Sequence, residues 1–187
     1  SSGDITMTAN NSTGGGVSIS GDASGPNISS AGKITVLGTD SLNGIYIRLA
    51  NLTSAGDTWM DADGSTYGLQ VLSSSITSTG GEIDIHADQT RNGVLIRQST
   101  LTSAGELDIK GVSTGTSSLA GVQVSGSNIL SNGGTIQISG SSSGSYGYGV
   151  LIDANTTISS GGGDISLVGD DLDASGIWIA DSSVTSG

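Results

Sequence analysis

The chain has 187 residues, 17 acidic against 5 basic for a net charge of −12, with 32 Gly, one Pro and neither Cys nor Phe. So few cations exclude nucleic acid as a partner, because phosphates are neutralised by Lys and Arg, and exclude docking on an anionic membrane; no apolar run approaches the ~18 residues needed to insert across one. Disorder is excluded by a 34% hydrophobic content, mostly Ile, Val and Leu alternating with polar residues, and aromatics at 3% exclude a core built on large rings.

Along the chain, three short motifs alternate in fixed order. The first is an alternating strand that begins at Ile5, Ile34, Thr58, Ile83, Leu107, Ile136 and Ile165, with spacings of 29, 24, 25, 24, 29 and 29 residues. The second is another alternating strand, beginning at Val17, Ile45, Leu69, Val94, Val122, Val150 and Ile177. The third is a single aliphatic among Ser, Thr and Asn: Ile28, Leu52, Ile76, Leu101, Ile129, Ile158 and Val184. Alternation of period two gives each strand one buried and one wet face. Such short strands do not stand as independent sheets, and no helical period separates them. The pattern therefore predicts an all-β fold, a right-handed parallel β-helix of about seven triangular coils with three short strands per coil. The coils begin near residues 3, 32, 56, 80, 105, 133 and 162 and form one unit over 1–187. Neither end reads as a polar cap, so the chain is expected to be an internal fragment of a longer protein.

Stacking places like residues above like, which is why "GGEIDI", "AGELDI" and "GGTIQI" recur. Gly and Ser are expected to turn the corners. The small residues Ala50, Ser74, Ser99, Ser127 and Ser182 stand two positions before the third-motif aliphatic and predict an inward corner stack. Length differences fall between first and second strands. The stretches "VSTGTSSLA" (112–120) and "SSSGSYGYG" (141–149) should therefore bulge from one edge, the kind of place where solenoids bind.

Several outward groups carry chemistry. Asp84 and Asp108 share one column on adjacent coils, and Glu82 and Glu106 share another. Carboxylates on neighbouring rungs have the oxygen chemistry of a Ca²⁺ site or of a catalytic acid pair. His86 and Lys110, two residues further on, offer simple neutralisation instead. The second strands present Ser18, Tyr46, Gln70, Leu95, Gln123, Leu151 and Trp178 outward. Together with Arg48, Arg97 and the loop residues Tyr146 and Tyr148, Tyr46 and Trp178 make a candidate surface for a glycan or protein receptor. Rows of Ser, Thr and Asn on the third face, interrupted by Leu130, raise an ice-binding reading. Asn27, Asn51 and Asn155, like Asn10 and Asn11, stand in N-x-Ser/Thr sequons open to glycosylation.

The units "GGEIDIHADQTRNGVLIRQSTLTSAG" and "GGTIQISGSSSGSYGYGVLIDANTTISSGG" resemble the repeats of filamentous-haemagglutinin-like exoproteins, which Gram-negative bacteria secrete through two-partner systems. The resemblance spans all the repeats. It implies a secreted, cell-surface shaft, exported through an outer-membrane transporter, that carries adhesion to host or bacterial cells through a receptor or glycan. In the contact-dependent growth-inhibition branch it implies a shaft that presents a toxin. A chain without Cys suits unfolded passage through an outer membrane. No enzymatic role is expected; a polysaccharide-degrading β-helix would need paired carboxylates beside a base, and Asp84, Asp108 and Lys110 are the nearest approach.

Overall fold

A computed structural model of the chain describes residues 3–10, 15–22, 25–89, 91–115, 120–145 and 147–187. Among them every strand is parallel to its neighbours, no residue is helical, and the chain winds as a β-solenoid with three faces. The first face is built from Ile5–Asn10, Ile83–Gln89, Leu107–Ser113, Ile136–Ser142 and Ile165–Asp171. The second contains Gly15–Ser20, Asn92–Arg97, Ala120–Ser125, Tyr148–Asp153 and Ser175–Ile179. The third runs from Asn27–Ser30 to Ser183–Thr185 in unbroken register, with Ile28, Leu52, Ile76, Leu101, Ile129, Ile158 and Val184 stacked.

In the second and third coils the first and second faces are joined. Ile34–Arg48 and Thr58–Leu72 are each one long strand, so those two faces form a single sheet. The pairing slips between Gly38 and Asn43, where the chain bends from one face to the next. The long insertions lie at this same edge in later coils. Their stems stack on earlier coils, with Thr114 N–H donating to Gln89 O at 2.7 Å and Ser143 N–H to Ser113 O at 3.0 Å.

The inward columns are dry. Ile34, Ile83, Leu107 and Ile136 share one column with Thr58, and Val36, Met60, Ile85, Ile109 and Ile138 share the next; all are at most 1% exposed, as are Ile45, Leu69, Val94, Val122 and Val150. Each such aliphatic contributes about 1.5–3 kcal/mol by leaving water. At the chain's two ends the same columns are more open, as with Ile5 and Ile165.

Two corner devices explain the repeated Ser and Gly. The predicted corner stack is present, and it is a hydrogen-bond ladder. Ala50 N–H donates to Ser74 Oγ, Ser74 N–H to Ser99 Oγ and Ser99 N–H to Ser127 Oγ, each at 3.1 Å, and Ser127 N–H donates to Thr156 Oγ1 at 3.3 Å. The residue before each ladder member is left-handed: Leu49, Ser73, Gln98, Gly126, Asn155 and Asp181 have φ between 47° and 62°. Glycine is thus not required at this corner: it stands there at Gly25 and Gly126, while Leu, Ser, Gln, Asn and Asp turn the same corner in the other coils. Gly111 and Gly140 are instead buried within first-face strands, where a Cβ would lie 2.1 Å from Gly121 O and 2.0 Å from Gly149 O. Close approach of the first- and second-face backbones, not a turn, demands glycine there. A second serine column, Ser54, Ser78, Ser103, Ser131 and Ser160, closes the other end of the third face from inside. Ser131 Oγ, for example, donates to Gly105 O at 2.8 Å.

Candidate functional site

The first face carries the densest charge. Its outward register runs Thr6, Thr35, Trp59, Asp84, Asp108, Gln137 and Ser166. The next outward column runs Thr8, Leu37, Asp61, His86, Lys110, Ser139 and Val168. Strand pairing therefore sets Asp84 directly beside Asp108, about 4.8 Å away along the axis. Burial raises both carboxyls above the usual Asp value. Asp61 and Glu106 push Asp84 further up, while His86 and Lys33 oppose; Asp84 and Glu106 do the same to Asp108, against Lys110 and His86. His86 sits between two acids, its Nδ1 3.3 Å from Asp61 Oδ1 and its Nε2 3.5 Å from Asp88 Oδ1.

Glu82 and Glu106 precede the same two strands. Glu82 N–H donates to Asp57 Oδ1 at 3.2 Å, and the Glu106 carboxylate accepts from Gln137 Nε2. The four carboxylates Glu82, Asp84, Glu106 and Asp108 thus lie on two neighbouring coils. Among the described residues, no three His, Cys, Asp or Glu side chains converge to hold a metal ion. Beside them Lys33, Asp57, Thr58, Trp59, Glu82 and Asp84 line a shallow depression of about 330 Å³. Trp59, 37% exposed, is its flat wall.

On the second face, Tyr46, Gln70, Leu95, Gln123, Leu151 and Trp178 stand in one register. Tyr46 and Trp178 are therefore five coils apart, about 24 Å. Tyr46 is half-buried and Trp178 is 48% exposed. Trp178 meets Tyr148, with ring centroids 5.9 Å apart and planes tilted by 50°. Arg48 and Arg97 are both exposed and share a column with Leu72 between them. Tyr146 lies outside the described residues, as do 116–119 of the longer insertion. One contact was not foreseen: the Arg91 guanidinium lies 5.3 Å from the Tyr67 ring centre. The register Tyr67 to Asn92 could have found it, since it sets Arg91 one residue from Tyr67's partner.

The sequons are surface features. Asn27, Asn51 and Asn155 are exposed; Asn51 Nδ2 donates to Asn27 Oδ1 at 2.9 Å, and Asn155 occupies the left-handed corner. Asn10 Oδ1 accepts from Thr39 Oγ1 at 2.9 Å, and Asn11 is outside the described residues.

The chain is a parallel β-solenoid of six to seven three-sided coils, with an acidic, tryptophan-bearing first face and an aromatic second face. No family model, curated protein or solved structure matches it.

Proposed function

We propose that this solenoid is an interaction module of a secreted bacterial adhesin, which displays binding surfaces to a cell-surface receptor or glycan and holds them at a distance from the cell. The observation that supports it most is the outward second-face column ending at Trp178, an exposed indole packed against the half-buried Tyr148 on a regular face of a chain otherwise poor in aromatics. Exposed aromatics on a flat face are the anchors of recognition surfaces. The parallel backbone ladder makes the coils one continuous body, so a surface at one coil is carried by all the others. The repeat style adds the expectation of a two-partner-secreted, haemagglutinin-like shaft, with a toxin-presenting shaft as its variant. The test is binding of the chain to whole cells and to a glycan array, with Ca²⁺ and with chelator. Binding that is lost in Trp178→Ala and indifferent to chelator supports the reading. Binding that needs Ca²⁺ moves the site to Glu82, Asp84, Glu106 and Asp108, and absence of any binding leaves spacing as the role.

One observation favours a second reading, hydrolysis or elimination on an acidic glycan. Asp84 and Asp108 abut in register and both are held above the ordinary carboxyl range, as a proton-sharing pair would be. Turnover of a polyuronate that disappears in Asp108→Ala supports it; no turnover by the unaltered chain removes it.

A further inference from the structure

We propose that the depression at Trp59 is a binding site for a glycan bearing free amino groups, laid along the solenoid axis over the third, fourth and fifth coils. This rests on the surface-display reading above and gives it a ligand class.

The indole is outward and 37% exposed. Its register neighbours are Thr35 on one side and Asp84 on the other, both shorter than itself, so its face is left as a platform. Among the described residues no ring or cation stacks on it, whereas Trp178 meets Tyr148 and Tyr67 meets Arg91. A flat aromatic platform accepts the C–H face of a sugar ring, and tryptophan is the best aromatic partner for a cation.

The rim selects the charge. Asp57, Glu82 and Asp84 line the depression against the single ammonium of Lys33. Carboxylate oxygens accept from hydroxyl and ammonium donors alike, while Lys33 donates to a ring or hydroxyl oxygen. Three negative groups to one positive repel uronates and sulfated sugars and attract an amine.

The repeat selects a polymer. Beyond the depression the carboxylates continue one coil further, with Asp108 beside Asp84 and Glu106 at the head of the same strand. Acceptors thus recur at about 4.8 Å along the axis. Successive rings of a β-1,4-linked amino-sugar chain are flipped by about half a turn, so its same-side amino groups recur every second ring, close to two coil spacings. An extended basic peptide presents same-side residues only every ~6.6 Å, and falls out of step with the coils.

The chain holds two tryptophans, Trp59 and Trp178, so a ¹⁵N-labelled sample gives two indole N–H signals, assigned with Trp178→Phe. The probes are a glucosamine tetramer, its fully N-acetylated counterpart, tetragalacturonate and pentalysine. The glucosamine tetramer is expected to move the Trp59 indole and to saturate, with the N-acetylated form about tenfold weaker, as loss of a cation–π contact and its charge pairing implies. Tetragalacturonate is expected to leave the signal unmoved and pentalysine to bind more weakly than the sugar. Trp59→Ala should abolish the effect with an unchanged circular dichroism spectrum, Trp59→Phe should retain part of it, and Asp84→Asn should weaken the glucosamine tetramer while sparing the N-acetylated one. A Trp59 signal indifferent to the glucosamine tetramer, or moved as strongly by tetragalacturonate or pentalysine, overturns the site. Cell binding that survives Trp59→Ala and is lost in Trp178→Ala overturns this site and keeps the display reading. Glucosamine binding at Trp59 in a chain that attaches to no cell does the reverse.

Discussion

The corner ladder makes a prediction that depends on one atom per coil. Ser99 Oγ accepts the buried Ser74 N–H at 3.1 Å and donates to Arg97 O at 2.8 Å. Ser99→Ala strands that N–H in a site where Ser74 and Ser99 are 7% and 3% exposed. An orphaned buried donor costs about 1–3 kcal/mol, so the variant should lose about 2 kcal/mol. At the slope expected for a chain of this size, its Tm falls by about 4–8 °C. The first rungs show why the requirement is the hydroxyl and not the small size. Ala50 has no hydroxyl, and the residue stacked beneath it is Pro26, which has no N–H to satisfy. Ala50→Ser should therefore be close to neutral alone, and should gain about 1 kcal/mol when combined with Pro26→Ala, which restores the donor. Thermal unfolding followed by circular dichroism reads all of these, with Thr100→Ala, an outward residue of the same coil, as the reference. A Ser99→Ala loss no larger than that of Thr100→Ala, or no coupling between positions 26 and 50, would refute the ladder.

Three further outcomes are expected. Gly140→Ala places a Cβ 2.0 Å from Gly149 O and should cost at least the ~1–3 kcal/mol of overpacking, read as a lowered Tm; a neutral result would mean the two backbones are not in contact. The folded Asp108 carboxyl lies above its unfolded value of 3.8, so the native state takes up this proton first as pH falls. Its stabilising effect is complete below 3.8 and lost as pH rises through the folded value; Asp108→Asn should raise stability at neutral pH and flatten the profile in that window, and an unaltered urea midpoint profile would contradict this. Deleting 78–102 removes one coil in register, since Ser78 pairs with Ser103. A folded rod shorter by about 4.8 Å in small-angle scattering is expected, and an unfolded product would deny that the coils are equivalent units.

The architecture was legible because each inward column repeats an aliphatic in the same phase, and a slip of one residue would turn Ile83, Ile85, Leu107 and Ile109 to water. The inward serines were legible for the same reason. The left-handed corner was not: Leu49, Ser73 and Gln98 are poor left-handed residues, and stacking on neighbouring coils imposes the conformation. The fusion of first and second strands in coils two and three was hidden too, because Gly, Asp, Ser and Asn crowd "GTDSLNG" and "DGSTYG" as they do in turns, while both strands they join are paired on either side. Site residues were legible as columns but not as distances. Tyr46 and Trp178 share a column yet lie far apart, whereas Tyr148 and Trp178, from different columns, touch. Trp59 read as an ordinary strand residue, because the depression beside it is made by Lys33, Glu82 and Asp84 of the adjacent coils.

The most direct test of recognition by an outward face is cell attachment measured face by face. One variant set removes Trp59 and Asp84 from the first face, a second removes Tyr148 and Trp178 from the second, and a third replaces Asn51, Thr77 and Thr102 on the third. No residue of the dry core is altered in any set, so circular dichroism should report the same fold. Attachment should be lost with the first or second set and kept with the third. Attachment lost equally in all three sets, or only with the third, would contradict it.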